Sequence, residues 1–260
     1  MAIRLNDWED LSDWYDGRQG ETGDLWHREL IDPVLLRIIG DCRGKDILDL
    51  GCGNGYLARK LARGGARVTA VDSSQRMIAN AQKHDPNNTL KIKYLHSDAG
   101  ELHGIDEASF DLVFANMSLM DIEDTESAIG HVSRILRREG RFVASISHPC
   151  FDIGSNSGWV FEKPAFESGK VYRKVRAYRK LFSERVPWRV DNGTKYTPAF
   201  HRPLNWYART LRSKGLAITA LEEPQPTREF IEREGEKEGD LDSVGFLEVP
   251  LHLVFEAAKL

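Results

Sequence analysis

The chain reads as an α/β protein, a doubly wound and mostly parallel sheet with helices on both faces. Three observations predict it. Short apolar runs alternate with amphipathic stretches from residue 32 to residue 148. A glycine-rich turn, ILDLGCGNGYL at 47–57, directly follows the first apolar run. Polar residues end successive runs, at Asp49, Asp72, Asp98, Asn116 and His148. Strand–helix–strand units of this kind cross over right-handedly and bury a parallel sheet. Ligands then sit beyond the carboxyl ends of the strands, so these five residues are expected around one crevice.

Each element has a local reason. In DPVLLRIIG, Asp32 is expected to cap a helix with Pro33 at its first position and Gly40 as its stop. KDILDL is a short buried strand, and GYLARKLARGG a helix closed by Gly64 and Gly65. RVTAVD is a second strand. Ser73 or Ser74 caps the helix SQRMIANAQKH, which stops before Asp85–Pro86. LKIKYLHSD and FDLVFANM are the third and fourth strands. TESAIGHVSRILRREG carries Ile129, Val132, Ile135 and Leu136 on one helical face, with Gly140 as its stop. RFVASIS is the fifth strand. Residues 149–202 break the pattern and form an aromatic-rich insertion, expected to fold over the crevice as a lid. RPLNWYARTLRSKG then reads as a helix, LAITALEEP and EVPLHLVFEAAK as strands, and PTREFIEREGEKEGDLDSVGF as an acidic loop.

Composition narrows the function classes. The 260 residues suffice for one substantial core, expected to be a single domain. A net charge of −4 argues against a wholly polyanion-binding surface. Cys42, Cys52 and Cys150 are few and widely spaced, which predicts neither a disulfide framework nor a CxxC metal pair. With no signal peptide and no apolar run of membrane-span length, a cytoplasmic location is expected.

The glycine turn points to a nucleotide-type ligand, because Gly51, Gly53 and Gly55 allow close backbone approach. Asp72, at the end of the second strand, suits a ribose diol. A dinucleotide such as NAD also uses these features. The spacing, however, is GxGxG, and Asp49 would repel a pyrophosphate while attracting an ammonium or a sulfonium. Asp98 with Ala99 stands where an adenine amino group could be read.

On DLGCGNG, the VD at 71–72 and the SDA at 97–99, the chain resembles the class I S-adenosylmethionine-dependent methyltransferases, specifically the small-molecule branch near the ubiquinone-biosynthesis type. The resemblance covers residues 30–148 and extends through the helix–strand–strand ending at 203–258. It implies a Rossmann-like, seven-stranded sheet whose last strand is antiparallel and inserted beside the fifth. It also implies that Asp49, Gly51 and Gly53 hold the methionine moiety of S-adenosylmethionine. Asp72 would take the ribose hydroxyls, with Ser73 beside it and Met77 near the adenine, and Asp98 and Ala99 the adenine edge. Asn116 and Met117 would line the floor near the sulfonium. Residues 1–30 resemble the family's cofactor-covering segment, with Tyr15 as the candidate to reach the methionine end and His27 behind it. The product would be S-adenosylhomocysteine.

The expected acceptor is a small molecule, methylated at oxygen or nitrogen. Where it must lose a proton, His148 and His201 are the candidate bases; both also fit as structural residues of proline-containing turns. Cys150 reads as a small buried residue. The fourth strand ends in NMSL, unlike the motif of amino-directed DNA methyltransferases. The insertion, with eleven Lys and Arg against five Asp and Glu, raises RNA as an alternative acceptor. The acidic stretch at 228–242 opposes a long polyanion, so nucleic acid is not the expected partner. A non-catalytic S-adenosylmethionine-binding protein and an NAD-dependent oxidoreductase are the readings from other classes. No metal is expected.

Overall fold

The alternation closes into one seven-stranded sheet in the computed structural model, which describes residues 7–161, 171–235 and 242–260. In chain order come β1 (Asp46–Leu50), β2 (Arg67–Asp72), β3 (Lys93–His96), β4 (Phe110–Asn116) and β5 (Leu136–Ser147). Two hairpins follow, β6 (Ser157–Phe161) with β7 (Val171–Val175) and β8 (Phe182–Val190) with β9 (Gly193–His201). The chain then returns through β10 (Leu216–Glu222) and β11 (His252–Lys259). The sheet order is β10-β11-β5-β4-β1-β2-β3. β11 lies between β5 and β10 and runs antiparallel to both, while β5, β4, β1, β2 and β3 are mutually parallel. This is the Rossmann-like arrangement that the resemblance implies, inserted antiparallel strand included.

The helices are α1 (Asp7–Gln19), α2 (Asp32–Ile39), α3 (Tyr56–Arg63), α4 (Gln75–Lys83), α5 (Thr125–Ile135), α6 (Leu204–Ser213), α7 (Arg228–Gly235) and α8 (Asp242–Glu248). Strand alternation sends side chains to two separate cores. On one face, Leu48, Val113, Phe142 and Phe255 pack with Ile129 and Val132 of α5 and Leu211 of α6. On the other, Ile47, Leu112, Phe114 and Val143 pack with Leu35 of α2, Leu57 and Leu61 of α3 and Ile78 of α4. Burying each such side chain contributes about 1.5–3 kcal/mol. Arg141 on β5 bonds the carbonyls of Ile38 and Ile39 at 3.1 and 3.0 Å and pairs with Glu256, tying the end of α2 to the sheet. No helix among the described residues is long and apolar enough to cross a membrane.

Several boundaries differ from the sequence reading, each for a local reason. Asp32 is not a helix cap. The helix runs on from upstream through a π turn at His27–Ile31, where the Asp32 N–H reaches the His27 carbonyl, and the Asp32 side chain is buried. Ser74, not Ser73, caps α4, accepting from the Met77 N–H at 3.0 Å. β3 begins at Lys93 instead of Leu90, because Asp85 takes the N–H groups of Thr89 and Leu90 and turns the chain. α5 ends at Ile135, and Leu136–Gly140 join β5. The carbonyls of Arg134 and Ile135 are used by the N–H groups of Ala108 and Ser109, so no further helical turn forms. The described parts of the acidic stretch are the helices α7 and α8, separated by residues 236–241, which lie outside the described residues.

His252, on β11, faces Trp26 at 5.8 Å between ring centroids. Burial, aided by the nearby His27 and His148, pushes its imidazole down to about 4 from an ordinary 6.5. The unfolded chain therefore binds this proton first as the pH falls. The contribution of a neutral His252 is fully present above pH 6.5 and is lost between there and about 4. Urea denaturation across this range should show stability falling with pH, and a shallower fall in His252→Gln.

Candidate functional site

The carboxyl ends of β1, β2 and β4 open on a cavity of about 390 Å³. Its lining brings together Tyr15, Asp49, Gly51, Gly53, Asp72, Ser73, Met77, Asp98, Ala99 and Asn116, all ten residues predicted to touch a cofactor. The three glycines differ in what requires them. At Gly51 φ is +75° and a Cβ would lie 2.6 Å from the Ser118 Cβ, so the protein itself excludes a side chain. Gly55, with φ +73°, would collide with Ala81 and Tyr94 at 3.1 Å and does not line the cavity, which corrects its expected part in ligand approach. Gly53 alone presents an open face, with only the Tyr15 ring 3.7 Å from where its Cβ would be.

Carboxylates dominate the electrostatics. Asp72 accepts from the Gly53 N–H at 2.8 Å and the Ser74 N–H at 2.9 Å, joining the glycine turn to the start of α4. Asp49 is 3% exposed and has no hydrogen-bond partner among the described residues. Burial, with the neighbouring Asp72 charge, raises its carboxyl well above the usual range. Burial also raises Asp72, against the N–H bonds from Ser74 and Gly53. Asp121 is raised well above the usual range by burial, with Asp72 adding to the shift and a Trp8 hydrogen bond opposing it. With Asp98, Glu101, Glu123 and Asp124, seven carboxylates line the cavity, and no described lysine or arginine does.

Beneath this wall lies a polar chain. Tyr56 donates to Asp32 at 3.0 Å, Asn116 donates to the Tyr56 hydroxyl at 2.8 Å, and Ser145 donates to Asn116 at 2.5 Å. It fixes Asn116 at the end of β4. Met117 follows with φ +51°, a conformation few side chains adopt, and its N–H is held by Ser145.

Two segments distant in sequence cover the cavity. α1 is fastened by Glu9, which accepts from Ser74 and from the Arg76 N–H. Asp13 bonds Asn80, and Asp16 bonds Asn54 and His84. From the other side, Pro198 and Phe200 of β9 reach the lining, and Trp188 of β8 packs against Trp8, Trp14 and Tyr15 at 5.7–6.3 Å.

The two predicted bases are not brought to this cavity. His148 is buried, with Nε2 on Glu223 at 3.0 Å while Nδ1 accepts from the Cys150 N–H at 3.1 Å. His201 bonds the Tyr178 carbonyl at 2.8 Å and stacks on Phe182 at 4.8 Å. Neither lines the wall, so the expectation of a crevice-facing His148 is corrected. The His148 N–H extends the β5–β11 pairing onto the Leu251 carbonyl at 2.8 Å, and its ring is held by Glu223 and the Cys150 N–H. The lining also holds His27, the second candidate for the methionine end, with Nδ1 2.7 Å from Asp24, and Asp121. Asp121 carried no signal in the sequence.

The comparisons with known proteins agree with this geometry. Residues 48–144 match the family described as a methyltransferase domain. A ubiquinone biosynthesis O-methyltransferase of Alkalilimnicola ehrlichii is 33% identical over 138 residues, covering 52% of this chain and 54% of that protein. The chain thus spans about half the length of such a relative. A ubiquinone biosynthesis O-methyltransferase of Rickettsia felis is 28% identical over 215 residues, 75% of this chain and 84% of that one. Among solved structures, an S-adenosylmethionine dependent methyltransferase from Mesorhizobium loti superposes with a TM-score of 0.67 and 26% identity, over 87% of this chain and 96% of that one. With the inserted antiparallel strand, the DLGCGNG turn and the carboxylates at successive strand ends, these likenesses place a methyltransferase domain over residues 48–144 and make the chain similar to S-adenosylmethionine-dependent methyltransferases of the ubiquinone-biosynthesis type.

Proposed function

We propose that the chain binds S-adenosylmethionine in this cavity and moves its methyl group to an oxygen or nitrogen of a small molecule. The observation that carries the reading is the buried, unpartnered carboxylate of Asp49. An ionised carboxylate in such a place is costly without a cation. The ligand's ammonium and sulfonium would provide one, and the open face of Gly53 leaves room for its backbone approach. Asp72 keeps lone pairs for the ribose hydroxyls beyond its two N–H bonds. Met77 would flank the adenine, and Asp98 and Ala99 would read its edge. When bound, this ligand supplies a methyl carbon made electrophilic by its sulfonium. The chain's own part is to position the acceptor in line and keep water out, which α1 and the β8–β9 hairpin are built to do. The O-methyltransferase names of the relatives favour oxygen as the methylated atom.

The lining argues against the rival readings. Seven carboxylates without a lysine or arginine disfavour the pyrophosphate of NAD and an anionic acceptor. RNA is disfavoured too, since the exposed Lys174, Arg176, Arg179 and Lys180 are not part of the wall. A non-catalytic binding protein differs only in showing no turnover.

Thermal denaturation with S-adenosylmethionine, S-adenosylhomocysteine and NAD in parallel should give a rise with the first two alone, about 2.7 kcal/mol at a hundredfold excess over Kd. A rise with NAD alone defeats the proposal. Asp72→Asn should weaken S-adenosylmethionine by about 1.5–3 kcal/mol, read by calorimetry. Because the Asp49 carboxyl is raised and a cationic ligand favours its ionised form, affinity should increase with pH and binding should release protons. A pH-independent affinity would remove Asp49 from the site.

A further inference from the structure

Resting on that methyltransferase reading, we propose that His27, oriented by Asp24, is the general base for an acceptor that carries a proton and no negative charge. Sheet order divides the cavity. Asp98 lies just past β3, Asp72 ends β2 and Asp49 is near the end of β1, so the donor would span that side. The wall past β1 belongs to β4, whose Asn116 bonds Tyr56. The His27 ring stands edge-on to Tyr56, 5.9 Å between centroids. His27 is thus on the acceptor side, beside the floor where the sulfonium would lie.

Its orientation is fixed through Asp24, with the Gln19 amide nitrogen a longer 3.4 Å from Nδ1. Asp24 Oδ1 accepts from the His27 backbone N–H at 3.1 Å and meets Nδ1 at 2.7 Å. Arg18 donates to Asp24 Oδ2 at 3.0 Å, and the Asp24 N–H donates to Gln19 at 3.0 Å. Burial opposes ionisation of Asp24, but the bonds from His27 and Arg18 hold its carboxyl far below the usual range. A carboxylate on Nδ1 places the ring proton there and leaves Nε2 with its lone pair. Nε2 has no hydrogen bond to a described residue, and the ring lines the cavity. His27 also opens the π turn at His27–Ile31, a distortion concentrated at functional sites. The charged or titratable groups around it are Asp24, Asp32, Tyr56 and His252.

The step balances. The acceptor heteroatom forms a bond to the methyl carbon while the carbon–sulfur bond breaks, its electron pair staying on sulfur. The acceptor's proton passes to Nε2 and then to water. The carboxylate-lined wall selects against an acceptor that is already an anion, so a hydroxyl acceptor loses its proton in place, and an amine gives up its proton once methylated. That is the task of a base.

The first test is nitrogen NMR on the full chain with isotope-labelled histidine and saturating S-adenosylhomocysteine. The expected spectrum has His27 protonated on Nδ1 and bare on Nε2, with that preference lost in Asp24→Asn. A protonated Nε2 in the neutral ring overturns the proposal whatever the acceptor. The second test screens neutral phenols and amines against their carboxylated counterparts. His27→Gln should lower kcat at least a hundredfold, with the KM for S-adenosylmethionine and the affinity for S-adenosylhomocysteine unchanged. Full kcat in that variant, joint loss of S-adenosylhomocysteine affinity, or equal turnover of the carboxylated compounds each overturns it. Failure of the wild-type chain to bind S-adenosylhomocysteine by calorimetry strikes the underlying reading instead, and is seen before any variant is made.

Discussion

Two carboxylates, the buried Asp49 and the half-buried Asp72, stand near the ends of adjacent strands with no described lysine or arginine lining the cavity between them. Burial raises the proton affinity of both, and the Asp72 charge raises that of Asp49 further. The sheet enforces the arrangement, because parallel strands deliver their carboxyl ends to one edge. Much of the surrounding structure serves it. Asp72 spends both oxygens on backbone N–H groups, which sets the path of the glycine turn and the first turn of α4. Ser74, next in line, caps α4 and holds Glu9 of α1. The cover is therefore anchored to the same few residues that form the site's floor.

How much of this was legible in the sequence depended on range. The glycine turn, the strand-end acids and the order of elements are set by near neighbours, and the structure follows them. The inserted strand came from family resemblance, since nothing local in EVPLHLVFEA tells it where to pair. Leu136–Gly140 read as helix because its apolar spacing continues α5. The deciding contacts, Ala108 and Ser109 taking two carbonyls, come from a loop some twenty-five residues earlier. Asp32 before Pro33 looked like a cap, but a helix already under way absorbs that proline in a wider turn.

The strand-end acids of the cavity were legible in the sequence, because they sit at strand ends in fixed registers. The rest of the lining comes from α1, the π turn, β4 and β9, and no spacing rule connects His27 with Phe200. The two histidines singled out from sequence lie outside the cavity lining: both sit near strand ends, and both make internal hydrogen bonds. The glycines teach a related lesson. One pattern served three purposes, and only Gly53 keeps an open face toward the cavity.

The tryptophan contacts between α1 and β8 join segments about 180 residues apart, yet neither segment belongs to the seven-stranded sheet. The sheet and its two cores close without them. Opening the site therefore amounts to undocking one helix from one hairpin, a local event of lower free energy than global unfolding. Amides of α1 and β8 would exchange with solvent ahead of those in β1 and β4. Such an opening would leave both faces of the sheet packed, because the residues of its two cores lie outside α1 and the hairpin.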